Sequence, residues 1–218
     1  MYQCAEEPDF SVRTTQDDID FERSRSEAAA SAATHATAFT DAYLETLAVY
    51  RKIAEVMPLR GVVLVHGSCV AVDGEAFLFC APSGTGKSTH VRLWRELLGS
   101  RATMVNDDKP LVRVAATGAI AYGTPWDGKH RLSSNMAVPL RAVCLLSRAD
   151  ENHIERVMTA DAYTLLLRHV YRPLDAEALV ATLDLVDCLA ASVELWRLRC
   201  NMEKEAAQLS YAAMSHTI

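Results

Sequence analysis

No run of apolar residues in the 218-residue sequence approaches the roughly 18 that a membrane-crossing helix needs. The chain also lacks the basic start and apolar stretch of a secretory signal, because its first ten residues, MYQCAEEPDF, are acidic. A cytoplasmic location is expected. A basic stripe is missing too: 22 Lys and Arg stand against 28 Asp and Glu, a net charge of −6. Nucleic acid and anionic membrane select the opposite balance, so neither is an expected partner. The six cysteines contain no CxxC pair and no metal-ligand spacing. They read as buried free thiols. No internal repeat is present, and 50% hydrophobic residues with 9 Gly and 7 Pro exclude a collagen, a rod or a wholly disordered chain.

What is present divides into two textures. Residues 1–32 hold eight acidic residues against three basic ones, and an alanine-rich segment follows to Ala38. Possible capping boxes stand at Thr15 to Asp18 and Ser24 to Glu27. A stripe of Phe39, Tyr43, Leu47, Tyr50 and Met57 then predicts a helix up to Pro58. Phe10 to Thr14 alternates like an edge strand, although the acidity of the first 25 residues also suits a flexible arm. Residues 1–58 are therefore read as an acidic extension with a helix packing on the core, and 59–218 as the main domain, which carries the motifs that follow. From Gly61 onward, apolar runs broken by turns predict strands near 61–66, 69–72, 75–80, 101–105, 110–114, 119–122, 140–147 and 192–198. Helices are predicted near 87–98, 159–169, 175–189 and 202–214, the third with an Asp175 cap. Strands and helices mix without strict βαβ alternation, which implies an α/β core with antiparallel parts.

The strongest chemical signal is Ala81, Pro82, Ser83, Gly84, Thr85, Gly86, Lys87, Ser88, Thr89. It follows the apolar strand ending at Cys80 and opens an amphipathic helix carrying Val91, Trp94 and Leu98 on one face. A phosphate tail needs a turn whose backbone N–H groups converge, which favours glycine, and the helix N-terminus adds its own free N–H groups. Ser83 to Thr89 are the expected nucleotide contacts. Lys87 would reach the β and γ phosphates, Ser88 would place its hydroxyl on Mg²⁺, and Thr89 offers a second hydroxyl. Upstream, Asp73-Gly74 is a favoured two-residue hairpin turn, which pairs residues whose numbers sum to 147. Cys69 then faces Leu78, and His66 faces Ala81 at the mouth of the site. His66 is placed there as a proton-exchanging group.

Asn106, Asp107, Asp108 and Lys109 end a short apolar strand about 18 residues after the loop. Phosphoryl transfer needs one carboxylate in the metal shell and one to orient or deprotonate the acceptor, work assigned here to Asp107 and Asp108. The segment from Tyr122 to Arg131 follows, with Gly123, Trp126, Gly128, Lys129 and His130. It reads as an ordered loop bringing Lys129 and Arg131 toward a polyanion.

Together, His66-Gly67, Val72 to Gly74, Pro82 to Thr89, Asn106 to Asp108 and Pro139 to Leu146 resemble the catalytic domain of HPr serine kinase/phosphorylase, over roughly residues 60–200. That family shares a superfamily with ATP-dependent phosphoenolpyruvate carboxykinase. The resemblance implies a phosphoenolpyruvate carboxykinase-like P-loop fold with a mixed, antiparallel-rich sheet and flanking helices. It also implies Mg²⁺-ATP and phosphorylation of a serine on a protein or peptide, with His66, Asp107 and Asp108 activating the acceptor. The alternatives are a small-molecule kinase or carboxykinase-like enzyme, and a non-catalytic nucleotide-binding regulator. Self-association and the identity of the phosphoacceptor stay open.

Overall fold

A computed structural model of the chain describes residues 5, 7–31, 39–128 and 131–215. Two helices lead in. Helix α1 (Gln16–Ser31) starts where the Thr15 N–H donates to the Asp18 carboxylate at 2.9 Å, so the first of the two capping boxes is used. It has little apolar face, and ion pairs hold it to α2 (Asp41–Val56): Arg51 reaches Glu22 at 2.6 Å and Asp18 at 3.0 Å, and Lys52 reaches Asp18 at 2.6 Å.

The expected strand at 10–14 does not form. Side chains of α2 satisfy this segment instead, since Lys52 donates to the Arg13 carbonyl and Thr14 donates to Glu45. Thr40 caps α2 as an N-terminal hydroxyl should. The buried stripe of this helix is Leu44, Ala48, Tyr50 and Ala54 rather than the expected Phe39 and Tyr43 series. Tyr43 lies exposed and stacks on Phe39.

Nine strands follow: β1 (Val62–Leu64), β2 (Ser68–Val72), β3 (Glu75–Cys80), β4 (Ala102–Asn106), β5 (Leu111–Ala115), β6 (Gly118–Tyr122), β7 (Ala137–Arg148), β8 (His153–Arg156) and β9 (Glu194–Cys200). Four helices interleave with them: α3 (Lys87–Leu98), α4 (Thr159–Leu167), α5 (Ala176–Ser192) and α6 (Lys204–Ser215). The sheet runs β1-β5-β6-β7-β3-β2-β4, with β9 also on β7 and β8 on β9. It is a mixed sheet, because β3, β7 and β9 are mutually parallel and the other pairs antiparallel. Strand β8 was not predicted: it is a polar edge strand, without the apolar alternation that marks a half-buried one.

The long strand β7 is the seam of the fold. Its first residues pair with β6, and the rest lies between β3 and β9. Phe77 and Phe79 point to one face, where Trp94 of α3 and Met214 of α6 meet them. Leu78 and Cys80 point to the other, against Val105, Leu166 of α4 and Leu189 of α5. Strand β3 is therefore covered on both faces, which explains its unbroken apolar sequence. Cys69, Cys80 and Cys144 are buried free thiols as expected, whereas Cys188 is exposed on α5. Cys4 lies outside the described residues. Among the described residues no helix is long and apolar enough to cross a membrane.

Candidate functional site

The hairpin of β2 and β3 has the register that its turn dictates, Ser68↔Phe79 through Val72↔Glu75, with Asp73 and Gly74 at φ 51° and 88°. The ladder ends there, and His66 does not continue it against Ala81. The His66 N–H instead donates to the His169 carbonyl at 2.7 Å, and the Gly67 N–H to the Asp108 carbonyl at 3.0 Å. The backbone of His66 is thus drawn toward the end of β4 and the segment after α4, where the charges of Lys87 and Asp108 act on its imidazole.

Residues 81–86 form the turn from β3 into α3. Gly84 and Gly86 lie at φ 78° and 123°, values that a side chain would strain, and a Cβ at either would meet no other atom within 4 Å. The glycines are there for backbone shape and not for want of room. No side chain caps α3, so the N–H groups of its first turn lack the partner that a cap would supply. Arg148, at the end of the neighbouring β7, grips the outside of the turn: its Nε donates to the Thr85 carbonyl at 3.1 Å and its Nη2 to the Gly84 carbonyl at 2.5 Å.

Lys87 is buried, with 8% relative exposure, and its Nζ donates to the Ala81 carbonyl at 2.8 Å. No carboxylate lies within ion-pair reach of it among the described residues. Burial lowers its pKa, and the negative charge of Asp108 partly opposes that.

The two acids part company. Asp107 is buried and accepts a hydrogen bond from the Gly128 N–H through Oδ1, while its Oδ2 is buried with no partner. Asp108 turns the other way, with Oδ1 3.8 Å from His66 Nε2 and Oδ2 3.4 Å from Lys109 Nζ. The two neighbouring carboxylates therefore meet different partners. Asn106, buried at the strand end, sets this divergence: its Oδ1 accepts from the N–H groups of Asp108 and Lys109, and its Nδ2 donates to Thr124.

Specific contacts tie the loop after β6 to its surroundings. Trp126 stacks on Tyr50 of α2 at 4.3 Å and 8°, and its Nε1 donates to the Thr46 carbonyl at 2.8 Å. Tyr50 in turn donates to the Lys109 carbonyl. The N-terminal helix thus braces the strand end that carries the acids. Gly128 is required by close approach, since a Cβ there would stand 2.9 Å from Asp107 Oδ2. Lys129 and His130 lie outside the described residues. Arg131 is exposed at φ 50°, and its backbone N–H donates to the Gly128 carbonyl. Ser83 and Ser88 are exposed on the turn and Thr89 is half-buried.

Burial and the charge on Lys87 hold the His66 imidazole below its ordinary pKa, against the opposing pull of Asp108. His169 was not found from the sequence. Its pKa is pushed down to about 4 by burial first and then by the charges of His66, Lys87 and Arg168. No spacing rule links residue 66 to residue 169; the Val65↔Val170 bridge and the His66 N–H bond to the His169 carbonyl do. Arg148 was likewise missed, because its position depends on β7 lying next to β3.

A protein-family model described as "ScmC: SynChlorMet cassette protein ScmC" matches residues 33–174. No curated protein matches the chain. Among solved structures, the Hpr(Ser) kinase/phosphatase from Coxiella burnetii aligns over 70% of this chain and 99% of its own, at 8% identity and a TM-score of 0.36. That likeness is weak and bears on the fold alone. The family match spans helix α2, the glycine turn, the divergent acids and the braced loop, and the chain belongs to the ScmC family.

Proposed function

We propose that the chain binds Mg²⁺-ATP at residues 83–89 and transfers the γ-phosphate to a hydroxyl, in the manner of an HPr kinase-like serine kinase acting on a protein or peptide. The observation that carries this reading is the buried Lys87 ammonium, held by a backbone carbonyl and without a carboxylate partner. A buried cation without an anion is costly, and a polyphosphate would supply the anion. The turn supports the same reading, since it is glycine-shaped, follows a strand and opens a helix. Its entry from the second arm of an antiparallel hairpin favours a phosphoenolpyruvate carboxykinase-like arrangement.

Mg²⁺ fits the residues present. Asp107 Oδ2 is a buried acceptor without a partner and Ser88 offers an exposed hydroxyl, and these two would hold the ion, while Asp108 acts on Lys87 through its charge. When bound, the ion would neutralise charge on the β and γ oxygens. One or two carboxylates with substrate phosphates suffice for it. His66 is the proposed general base: its pKa is lowered, and Asp108 would stabilise the imidazolium once the acceptor proton arrives. The bond from the γ phosphorus to the ADP oxygen breaks, the bond to the acceptor oxygen forms, and the acceptor proton passes to His66. Lys129 and Arg131 are proposed to meet the transferring phosphoryl group.

Titration calorimetry in Mg²⁺ tests the binding step. Lys87→Ala should weaken ATP far more than AMP, and equal ATP affinity in the two proteins would end the phosphate-loop reading. Incubation with labelled ATP and a lysate of the source cell, with Asp108→Asn as the control, tests the transfer.

A further inference from the structure

At the opposite end of the same strands a cleft of about 640 Å³ opens, within the ~300–1,000 Å³ range of small-molecule sites. Its origin is topological. Strand β7 leaves β6 after Ile120↔Pro139 and meets β9 from Ala142↔Glu194. On that side Leu140 and Arg141 pair with neither strand, so the sheet forks and the fork is hollow. The turn between β5 and β6 and the segment entering β9 complete the rim.

Three guanidinium groups and two carboxylates line this fork: Arg113, Arg141 and Arg156 with Glu75 and Glu194. The ion pairs among them are long. Arg141 stands 3.7 Å from Glu75 and 3.6 Å from Glu194, and Arg156 stands 3.7 Å from Glu194, all beyond hydrogen-bond length. Arg113 has no carboxylate within 4.0 Å among the described residues. The Arg141 Nε is buried with no partner at all. A fixed fork of donors with an unused edge is the group that recognises carboxylate and phosphate in a bidentate manner. The surplus positive charge in the cleft has the sign that such a ligand needs.

We infer that the fork between β6 and β9 is a binding site for a small molecule bearing carboxylate or phosphate groups, held by Arg113 and Arg141. This site is separate from the glycine turn. Strand β3 runs from Glu75 at the cleft to Cys80 at the turn, and at about 3.3 Å per residue that is a separation of roughly 17–20 Å. The ligand is therefore neither the nucleotide nor the group that receives its phosphate.

Calorimetric titration of the full chain at low ionic strength, with citrate and separately with inorganic phosphate, tests the site. At least one probe should bind. Arg113→Met and Arg141→Met should each weaken it by about tenfold or more, the value of a charge-assisted contact, and Lys87→Ala should leave citrate binding unchanged. Arg113 is exposed, so its variant remains informative if Arg141→Met fails to fold. Binding of citrate alone assigns the site to carboxylates, and binding of phosphate alone assigns it to phosphate. No heat with either probe overturns the inference. So does citrate binding that survives both arginine substitutions or disappears in Lys87→Ala, and so does phosphate binding to Lys87→Ala that survives both arginine substitutions. ATP affinity, which tests the proposed function, is read from a different titration.

Discussion

Acidification should destabilise this protein through His90, which sits in the first turn of α3 directly behind the glycine turn. Its imidazole is 3% exposed, its Nε2 lies 3.0 Å from Ser210 Oγ, and its Nδ1 is buried without a partner. Burial pushes its pKa from 6.5 down to about 4. In the window between those values the unfolded chain carries a proton that the folded chain refuses, so stability rises with pH across it. At pH 5 the unfolded histidine is almost fully protonated and the folded one is not, a loss of about 2 kcal/mol relative to pH 7.5.

His90→Gln retains a donor toward Ser210 and removes the titration. Urea unfolding of both proteins at several pH values between about 5 and 7.5 should show the wild type losing about 2 kcal/mol more than the variant. His66 and His169 are also depressed and titrate in both proteins, so they cancel in the comparison. Parallel pH profiles would show that His90 is not buried neutral and would refute the reasoning.

Four other outcomes are expected. Lys87→Met should raise the His66 pKa and Asp108→Asn should lower it, because their charges act on it in opposite directions; histidine NMR titration reads both signs. Asp108→Asn should lower phosphoryl transfer or ATP hydrolysis by at least about 10²-fold with little change in melting temperature, and an early-melting variant with intact specific activity would make the acid structural. Gly128→Ala forces a methyl group against the buried Asp107 carboxylate and should cost about 1–3 kcal/mol, measured by denaturant unfolding. Trp126→Ala removes the stack on Tyr50 and the bond to Thr46, and should cost about 2 kcal/mol while making residues 123–128 more open to protease.

Local chemistry carried much of this molecule. Asp73-Gly74 alone set the hairpin register, because a two-residue turn leaves the pairing no freedom, and the run from Ala81 to Thr89 marked the turn into α3 to the residue. Short apolar runs bounded by turn residues located eight of the nine strands among the described residues, since each must bury its own side chains. What tertiary structure decided are the relations between segments distant in sequence. Helix α1 has no apolar stripe to announce it and is held by ion pairs across a sequence gap of some thirty residues. The two acids look equivalent in sequence, and only the fixing of the backbone by Asn106 and the closeness of Gly128 send Asp107 to the loop and Asp108 to His66. His169 and Arg148 reach the site because β7 lies beside β3 and Val170 bridges Val65. The forked cleft likewise exists because one strand changes partners along its length. A side chain's neighbours across a sheet depend on strand order, and strand order is settled by the collective burial of two sheet faces, which no local window of residues contains.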